Sequence, residues 1–309
     1  MRVLSRLLCT FALAPTLAAA QTSRTQIVML GTGTPIPDPD RAGPAVAIVV
    51  DSVAYLFDAG TGVVRRAAAA GRNGIAAFGP LNKTPQSQFA PRFDRVFLTH
   101  LHSDHTLGLA DVIFTPWIQG RRTPLDIYGP PGTSRLVTGI LDGNAEDIAE
   151  RTAASGGPAP GGWKSVVHEI AEGPVFQDSR VTVSAFNVPH AGWKNAFGYR
   201  IQTPDRVIVI SGDARQNPII ATQCHGCDVL IHEVYSDAGF ATVPPMRQAY
   251  HAQAHTSATQ LGDIATQAKP KLLILYHQLF FGSSDDTLLG EVRSKFSGRV
   301  VSAKDLDVY

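Results

Sequence analysis

The sequence predicts a single layered α/β domain, with sheets inside and helices outside. Three observations lead there. A chain of 289 residues remains once an N-terminal export signal is set aside, enough for one large core. Short runs rich in Val and Ile recur along it, bounded by Gly, Pro, Asn and Asp. The early runs follow one another like hairpins, whereas the later ones alternate with helical segments.

The export signal is read from residues 1–20. Arg2 and Arg6 give a positive start, an apolar stretch spans residues 7–17, and Ala18-Ala19-Ala20 precedes Gln21. The apolar stretch is shorter than the ~20 residues a bilayer crossing needs, and Pro15 interrupts it. Gln21 stands where a lipoprotein would have Cys. The expectation is therefore cleavage after Ala20, a periplasmic or secreted protein, a single domain over residues 21–309, and no stable membrane association.

Strands are expected at 26–30, 45–50, 54–57, 95–99, 181–185, 207–210, 229–232 and 271–276. Helices are expected at 105–114, 134–142, 256–267 and 287–296. Residues 71–93, 156–162 and 236–254 read as loops from their Gly, Pro and polar content. The last of these adjoins a histidine cluster and is the best candidate to cover a site. Composition is that of an ordinary globular protein, with 44% hydrophobic and 17% charged residues. Without the signal, 25 basic residues face 26 acidic ones. That balance carries no basic footprint, so a nucleic-acid partner is not expected. Cys9 leaves with the signal, and Cys224 and Cys227 remain in Cys-His-Gly-Cys. An oxidising compartment permits a disulfide there, and the sequence leaves the pairing open.

The chemistry is concentrated in Val96-Phe97-Leu98-Thr99-His100-Leu101-His102-Ser103-Asp104-His105. An apolar strand runs into three histidines and an aspartate within six residues. His100 and His102 alternate, so at a strand end both point to one side. Asp104 and His105 follow a turn and can address a second point nearby. Imidazole nitrogens and carboxylate oxygens are the donors that zinc and similar ions take in open catalytic sites.

His-x-His-x-Asp-His after an apolar strand resembles the signature of the metallo-β-lactamase superfamily. Gly31-Thr32-Gly33-Thr34-Pro35 after the first strand resembles its ribonuclease Z-like branch. Asp58-Ala59-Gly60 is similar to the superfamily's Asp-x-Gly turn. Val188-Pro189-His190 with Ala196-Phe197-Gly198-Tyr199-Arg200 resembles the branch's third-histidine segment. Ser211-Gly212-Asp213 resembles the turn of the bridging aspartate, and Tyr276-His277 the last ligand. Taken singly, His190 reads as a structural or surface residue, Asp213 as a cap or turn, and His277 as a core histidine. Their order and number make them ligands.

The resemblance implies an αββα four-layer sandwich with its site at the edge between two sheets. It implies a first metal on His100, His102 and His190, a second on Asp104, His105 and His277, and Asp213 bridging them. Two zinc ions are expected, and manganese or iron would suit the same donors. A shared hydroxide would attack an ester bond. His232-Glu233 and His255-Thr256-Ser257 resemble the branch's His-Glu-Ala-Thr and His-Ser-Thr loops, although Val234-Tyr235 replaces Ala-Thr. Asp104, His255 and Glu233 are thus the candidate catalytic residues, with His255 assisting the leaving group and Glu233 orienting it. His168, His225 and His251 read as surface residues.

Substrate class is read from departures. The branch's tRNA-cleaving members carry a long arm between third histidine and bridging aspartate, whereas only 22 residues lie between His190 and Asp213 here. With the export signal and the charge balance, this gives an expected small sulfate or phosphate ester as substrate, arylsulfatase- or phosphodiesterase-like, and no nucleic acid. A lactonase or β-lactamase-like amidase is the enzymatic alternative. A non-catalytic metal-binding scaffold is the other, and seven occupied ligand positions speak against it. The oligomeric state is open, a homodimer included.

Overall fold

The computed structural model describes residues 23–79 and 92–309, so the export signal expected at 1–20 lies outside the described residues. The first half of the chain contributes β1 (Thr25–Gly31), β2 (Ala45–Val50), β3 (Val53–Phe57), α1 (Val63–Arg72), a 3-10 turn (Ala76–Phe78) and β4 (Arg95–Phe97). It continues with α2 (Ser103–Thr106), α3 (Leu109–Ile118), β5 (Leu125–Gly129), α4 (Thr133–Gly143), α5 (Ala145–Ala153) and β6 (Ser165–Glu169). The second half begins with β7 (Gly173–Gln177), β8 (Thr182–Asn187), β9 (Phe197–Gln202), β10 (Val207–Ile210), α6 (Pro218–Cys224) and β11 (Val229–Tyr235). It ends with α7 (Asp237–Phe240), α8 (Pro245–Ala254), α9 (Ala258–Ala268), β12 (Leu272–Leu279), α10 (Asp285–Arg293) and β13 (Val300–Ser302).

Among the described residues the strands form two sheets, six in the order β1 to β6 and seven in the order β13-β12-β11-β10-β9-β8-β7. Antiparallel hairpins open the first sheet, and parallel pairing takes over from β3 to β6. The second sheet is antiparallel from β7 to β10 and parallel from β10 to β13.

Period-two alternation distributes the core. In β1, Ile27 and Met29 pack between the sheets with Tyr199 and Ile274. Val28 and Leu30 face α1 and α3, meeting Val63, Val112 and Trp117. In β12, Ile274 and Tyr276 join the layer between the sheets, while Leu273 and Leu275 pack on Leu261 and Ile264 of α9 and Leu288 of α10. Strands buried on both faces read as unbroken apolar runs for this reason. The expected αββα sandwich is the architecture observed.

Phe97 locks the strand that leads to the histidine motif. It is fully buried and stacks on Phe57 at 5.0 Å and on Tyr128 at 4.9 Å. Phe97→Ala is expected to cost about 3–5 kcal/mol of folding stability, read as a lower urea midpoint at unchanged slope.

Several boundaries are corrected. The helix expected at 105–114 is two helices, α2 and α3, joined at Leu107-Gly108. The loop expected at 236–254 holds α7 and α8; α8 buries only Ala254, so its sequence carries no apolar stripe to betray it. The loop expected at 71–93 begins inside α1, and residues 80–91 lie outside the described residues. Cys224 and Cys227 are joined in a disulfide at the end of α6. No helix among the described residues is long and apolar enough to cross a membrane.

Candidate metal centre

A turn and a helix joint hold the histidine motif from below. Asp58, at φ 59°, follows β3, and its carboxylate accepts the Thr99 backbone N–H at 2.8 Å and the Thr99 hydroxyl at 2.9 Å. Gly60 lies so close to Gly43 that a Cβ there would stand 2.2 Å from the Gly43 carbonyl carbon. Gly108, between α2 and α3, approaches the same turn: its N–H donates to the Ala59 carbonyl at 2.8 Å, and the Ala59 N–H donates to the His105 carbonyl at 2.8 Å. Only glycine permits such backbone contact.

The seven residues expected as ligands come together as two clusters. His100, His102, His190 and Asp213 present donor atoms within 4.8 Å of one another, as do Asp104, His105 and His277. In the first cluster His102 Nδ1 lies 2.9 Å from His100 Nε2 and 3.1 Å from His190 Nε2. In the second, Asp104 Oδ2 lies 3.2 Å from His277 Nε2 and 3.5 Å from His105 Nε2. Asp213 stands between them. Its Oδ1 is 3.4 Å from His105 Nε2, while Oδ2 is 3.9 Å from both His100 and His190 and 3.5 Å from His277.

His277 reaches this position through a bulge. Tyr276 pairs with Glu233 and Gln278 with Val234, so His277 is the extra residue, at φ 47°. β12 therefore runs on past the expected last ligand to Leu279.

The donor set fits divalent cations. His105 Nε2 and Asp213 Oδ1 are buried with no hydrogen-bond partner, an arrangement that is costly unless something else satisfies them. His105 Nδ1 donates to Asp58 at 2.8 Å and His190 Nδ1 to the Ala254 carbonyl at 2.7 Å, which leaves each Nε2 lone pair directed at the cluster. Burial pushes the His102 imidazole down to about 4 and holds His100 and His190 below their ordinary value, so these rings are neutral and ready to ligate. Burial would also lower His105, but the Asp213 and Asp58 carboxylates outweigh it and raise it well above 6.5. Its proton there occupies the place a cation would take. One contact has to change on loading: Trp193 Nε1 donates to His102 Nε2 at 2.7 Å, yet a cation on His102 Nδ1 requires the proton on Nε2.

In the sequence Asp58 is legible only as part of a turn. Its second role, orienting His105, is legible only once the 47-residue separation between them is closed by folding. Asp58→Asn is expected to weaken metal binding about 10- to 100-fold in competition against a chromophoric chelator.

Glu233 and His255 meet beside the clusters. His255 Nδ1 lies 3.2 Å from Glu233 Oε2, and Glu233 Oε1 accepts the N–H groups of Thr256 at 2.9 Å and Ala214 at 3.3 Å. His255 does not cap the following helix; Ser257 does, in a capping box with Gln260. The donor atoms of His255, Asp213 and His277 also lie within 4.8 Å of one another, so His255 adjoins the second cluster. His168 and His225 sit away from the site, His168 stacked on Tyr128 at 4.3 Å. His251 corrects the surface reading: its ring is 5.7 Å from that of His255 and 4.9 Å from Phe281, and its Nδ1 is buried without a partner. Its four-residue spacing from His255 was a signal only for a helix, and this segment read as a loop.

A cavity of about 710 Å³ opens next to the clusters and takes in Ser103 and Asp104. Arg41, Arg65, Arg66 and Arg72 line it. Arg41 is held by Gln278 at 2.7 Å and Arg66 by Asp305 at 3.0 Å, whereas the Arg65 side chain stands largely in solvent.

Residues 54–278 match the family described as "Beta-lactamase superfamily domain". The chain belongs to this superfamily. Its curated relatives include proteins named Ribonuclease Z from Mycobacterium bovis, 32% identical, and from Mycobacterium marinum, 30% identical. Each match takes in 91% of this chain and 96% of the relative. The chain is thus a ribonuclease Z-like member of a metal-dependent hydrolase superfamily. Two solved structures share its fold: the human short-form tRNase Z, with a TM-score of 0.64 at 23% identity, and the metallo-β-lactamase fold protein YhfI from Bacillus subtilis, with 0.64 at 20%. Both cover 92% of this chain and are themselves 98% covered.

These relatives overturn two expectations, a small sulfate or phosphate ester as substrate and the absence of a nucleic-acid partner. The short interval between His190 and Asp213 does not set the chain apart, because proteins named Ribonuclease Z are matched over nearly their whole length. Net charge averages over the surface, while recognition depends on the local field, and here four arginines gather at one cavity beside the site, with Arg41, Arg65 and Arg66 paired to Asp38, Asp111 and Asp305.

Proposed function

We propose that this chain hydrolyses phosphodiester bonds in RNA, with tRNA precursors as the first substrates to test. The observation that carries the reading is a buried imidazole–carboxylate centre opening onto an arginine-lined cavity. A polyanion can lie along such arginines with one phosphate presented to the centre. Relatives named Ribonuclease Z support the choice of RNA. The expected export signal would carry this activity out of the cytoplasm, so RNA as a class is proposed, not one cellular precursor.

In this reading His100, His102 and His190 hold one divalent ion, Asp104, His105 and His277 a second, and Asp213 lies between; zinc is the ion we propose. Such ions supply Lewis acidity toward a phosphoryl oxygen and a water acidic enough to attack near neutral pH. The chain does the rest. Asp58 fixes the His105 ring, and the Ala254 carbonyl fixes that of His190. Burial and the neighbouring Asp213 push the Glu233 carboxyl well above its usual range, so it holds a proton toward His255 Nδ1. That contact places the transferable proton on His255 Nε2. His255 then protonates the departing ribose oxygen.

The test is incubation of purified, zinc-loaded protein with a tRNA precursor. Discrete, chelator-sensitive cleavage products are expected; an intact precursor at full metal loading overturns the proposal.

A further inference from the structure

Part of the molecule's exposed apolar surface lies beside the site. Among the described residues the exposed large hydrophobic side chains are Ile36, Leu107, Ile118, Val166, Met246, Tyr250 and Val308. Ile36 and Leu107 line the cavity that takes in Asp104. Met246 and Tyr250 stand four residues apart on α8, hence on one face of it, and are 86% and 49% exposed. Ile36 and Leu107 thus border the cavity beside the centre, and Tyr250 connects to the centre through the rings of His251 and His255.

Several contacts fasten α8 to that centre. The Ala254 carbonyl accepts from His190, the Gln253 carbonyl accepts the N–H of Ala191 at 2.9 Å, and His255 ends the helix. A chain of rings leads outward from the second cluster: His277 to His255 at 5.6 Å, His255 to His251 at 5.7 Å, His251 to Tyr250 at 5.4 Å. Tyr250 is its solvent end. Partial burial, and then the charges of Asp213 and Asp104, raise its hydroxyl above its ordinary value. No hydrogen bond ties that hydroxyl to another described residue, so the ring is held by its neighbours and its open surface is left for a ligand.

We infer that Tyr250 is a stacking platform for a nucleobase flanking the scissile phosphate, with Met246 extending the apolar surface beside it. This rests on the RNA reading above and adds to it how the substrate is registered. An arginine-lined cavity binds phosphates without regard to base. A ring beside the centre adds a contact that requires a base, and single-stranded RNA offers unstacked bases for it. A tyrosine loses little conformational freedom in doing so, having only two side-chain torsions.

The test is a cycle crossing Tyr250→Ala with removal of a base. Cleavage kinetics are measured on an RNA oligonucleotide and on versions made abasic at each nucleotide flanking the cleaved bond. Stacking on an aromatic ring changes affinity by about 5- to 100-fold per base. Tyr250→Ala should raise KM on intact RNA by that factor with kcat and metal content little changed, and Tyr250→Phe should restore it. On one abasic substrate, wild type and Tyr250→Ala should be equal. An unchanged KM in Tyr250→Ala, or the same loss on every abasic substrate, overturns the inference and leaves the RNA reading intact. Wild type that cleaves no RNA at all overturns both.

Discussion

Asp213→Ala is expected to lower phosphodiester cleavage by about 10³-fold or more. Charge stabilisation at a two-cation centre is worth several kcal/mol, and each 1.36 kcal/mol is tenfold in rate. Among the described residues Asp213 is the one carboxylate that approaches both clusters, with Oδ1 toward His105 and Oδ2 toward His100, His190 and His277. Its loss removes the anion that balances the second cation, so metal content should fall from about two equivalents per chain toward one. The variant should show a matching change in pH dependence. In wild type the carboxylates outweigh burial and hold His105 and His277 above their ordinary value. A cation must displace those protons, so affinity at the second position falls as pH drops through the raised values and recovers above them. Without Asp213 the raised values relax, and the dependence should shift to lower pH. Elemental analysis and chelator competition at several pH values check this. Two equivalents retained by Asp213→Ala with unchanged activity would dismiss the bridging role.

What the sequence revealed followed from locality. The His100 to His105 segment carries four ligands within six residues, and strand periodicity placed it at the end of β4. β1, β2, β10 and β12 are apolar enough on both faces to be read directly. The half-exposed strands β6 and β7 lack that signal, and in β5, which is largely buried but was not expected either, Asp126 interrupts the apolar run. Nor was α8 expected, whose polar surface conceals a helix held in place mainly through contacts at its C-terminal end. Glu233 and Asp213 lie in motifs, and their place in the site was anticipated. Asp58 as the partner of His105, and Tyr250 and His251 beside the centre, depend on pairings between distant segments that no local pattern records. The substrate expectation went astray through the same blindness, since Arg41, Arg65, Arg66 and Arg72 form one surface only after β1, β2 and α1 have packed.

His255→Ala is expected to cost about 10²–10⁴-fold on RNA and far less on an activated diester such as bis(4-nitrophenyl) phosphate, the range typical of general acid catalysis. A nitrophenolate departs without a proton, whereas a ribose alkoxide departs badly unprotonated. Burial lowers the His255 imidazole to about 4, so alone it would hold no transferable proton near neutrality. The Glu233 carboxyl, raised by burial and by Asp213, meets that need: as Nε2 gives its proton to the leaving oxygen, Nδ1 takes the carboxyl proton across the 3.2 Å contact. Glu233→Gln tests this step separately. Its amide can still donate to Nδ1 and keep the proton on Nε2, but it has no proton to pass on, so the RNA rate should fall by less than in His255→Ala and with the same leaving-group pattern. Metal content, measured on the same samples, should stay at the wild-type level in both. An equal loss on both substrates would assign His255 to charge stabilisation. Loss of a cation would make it a ligand, a role that its closeness to Asp213 and His277 also permits.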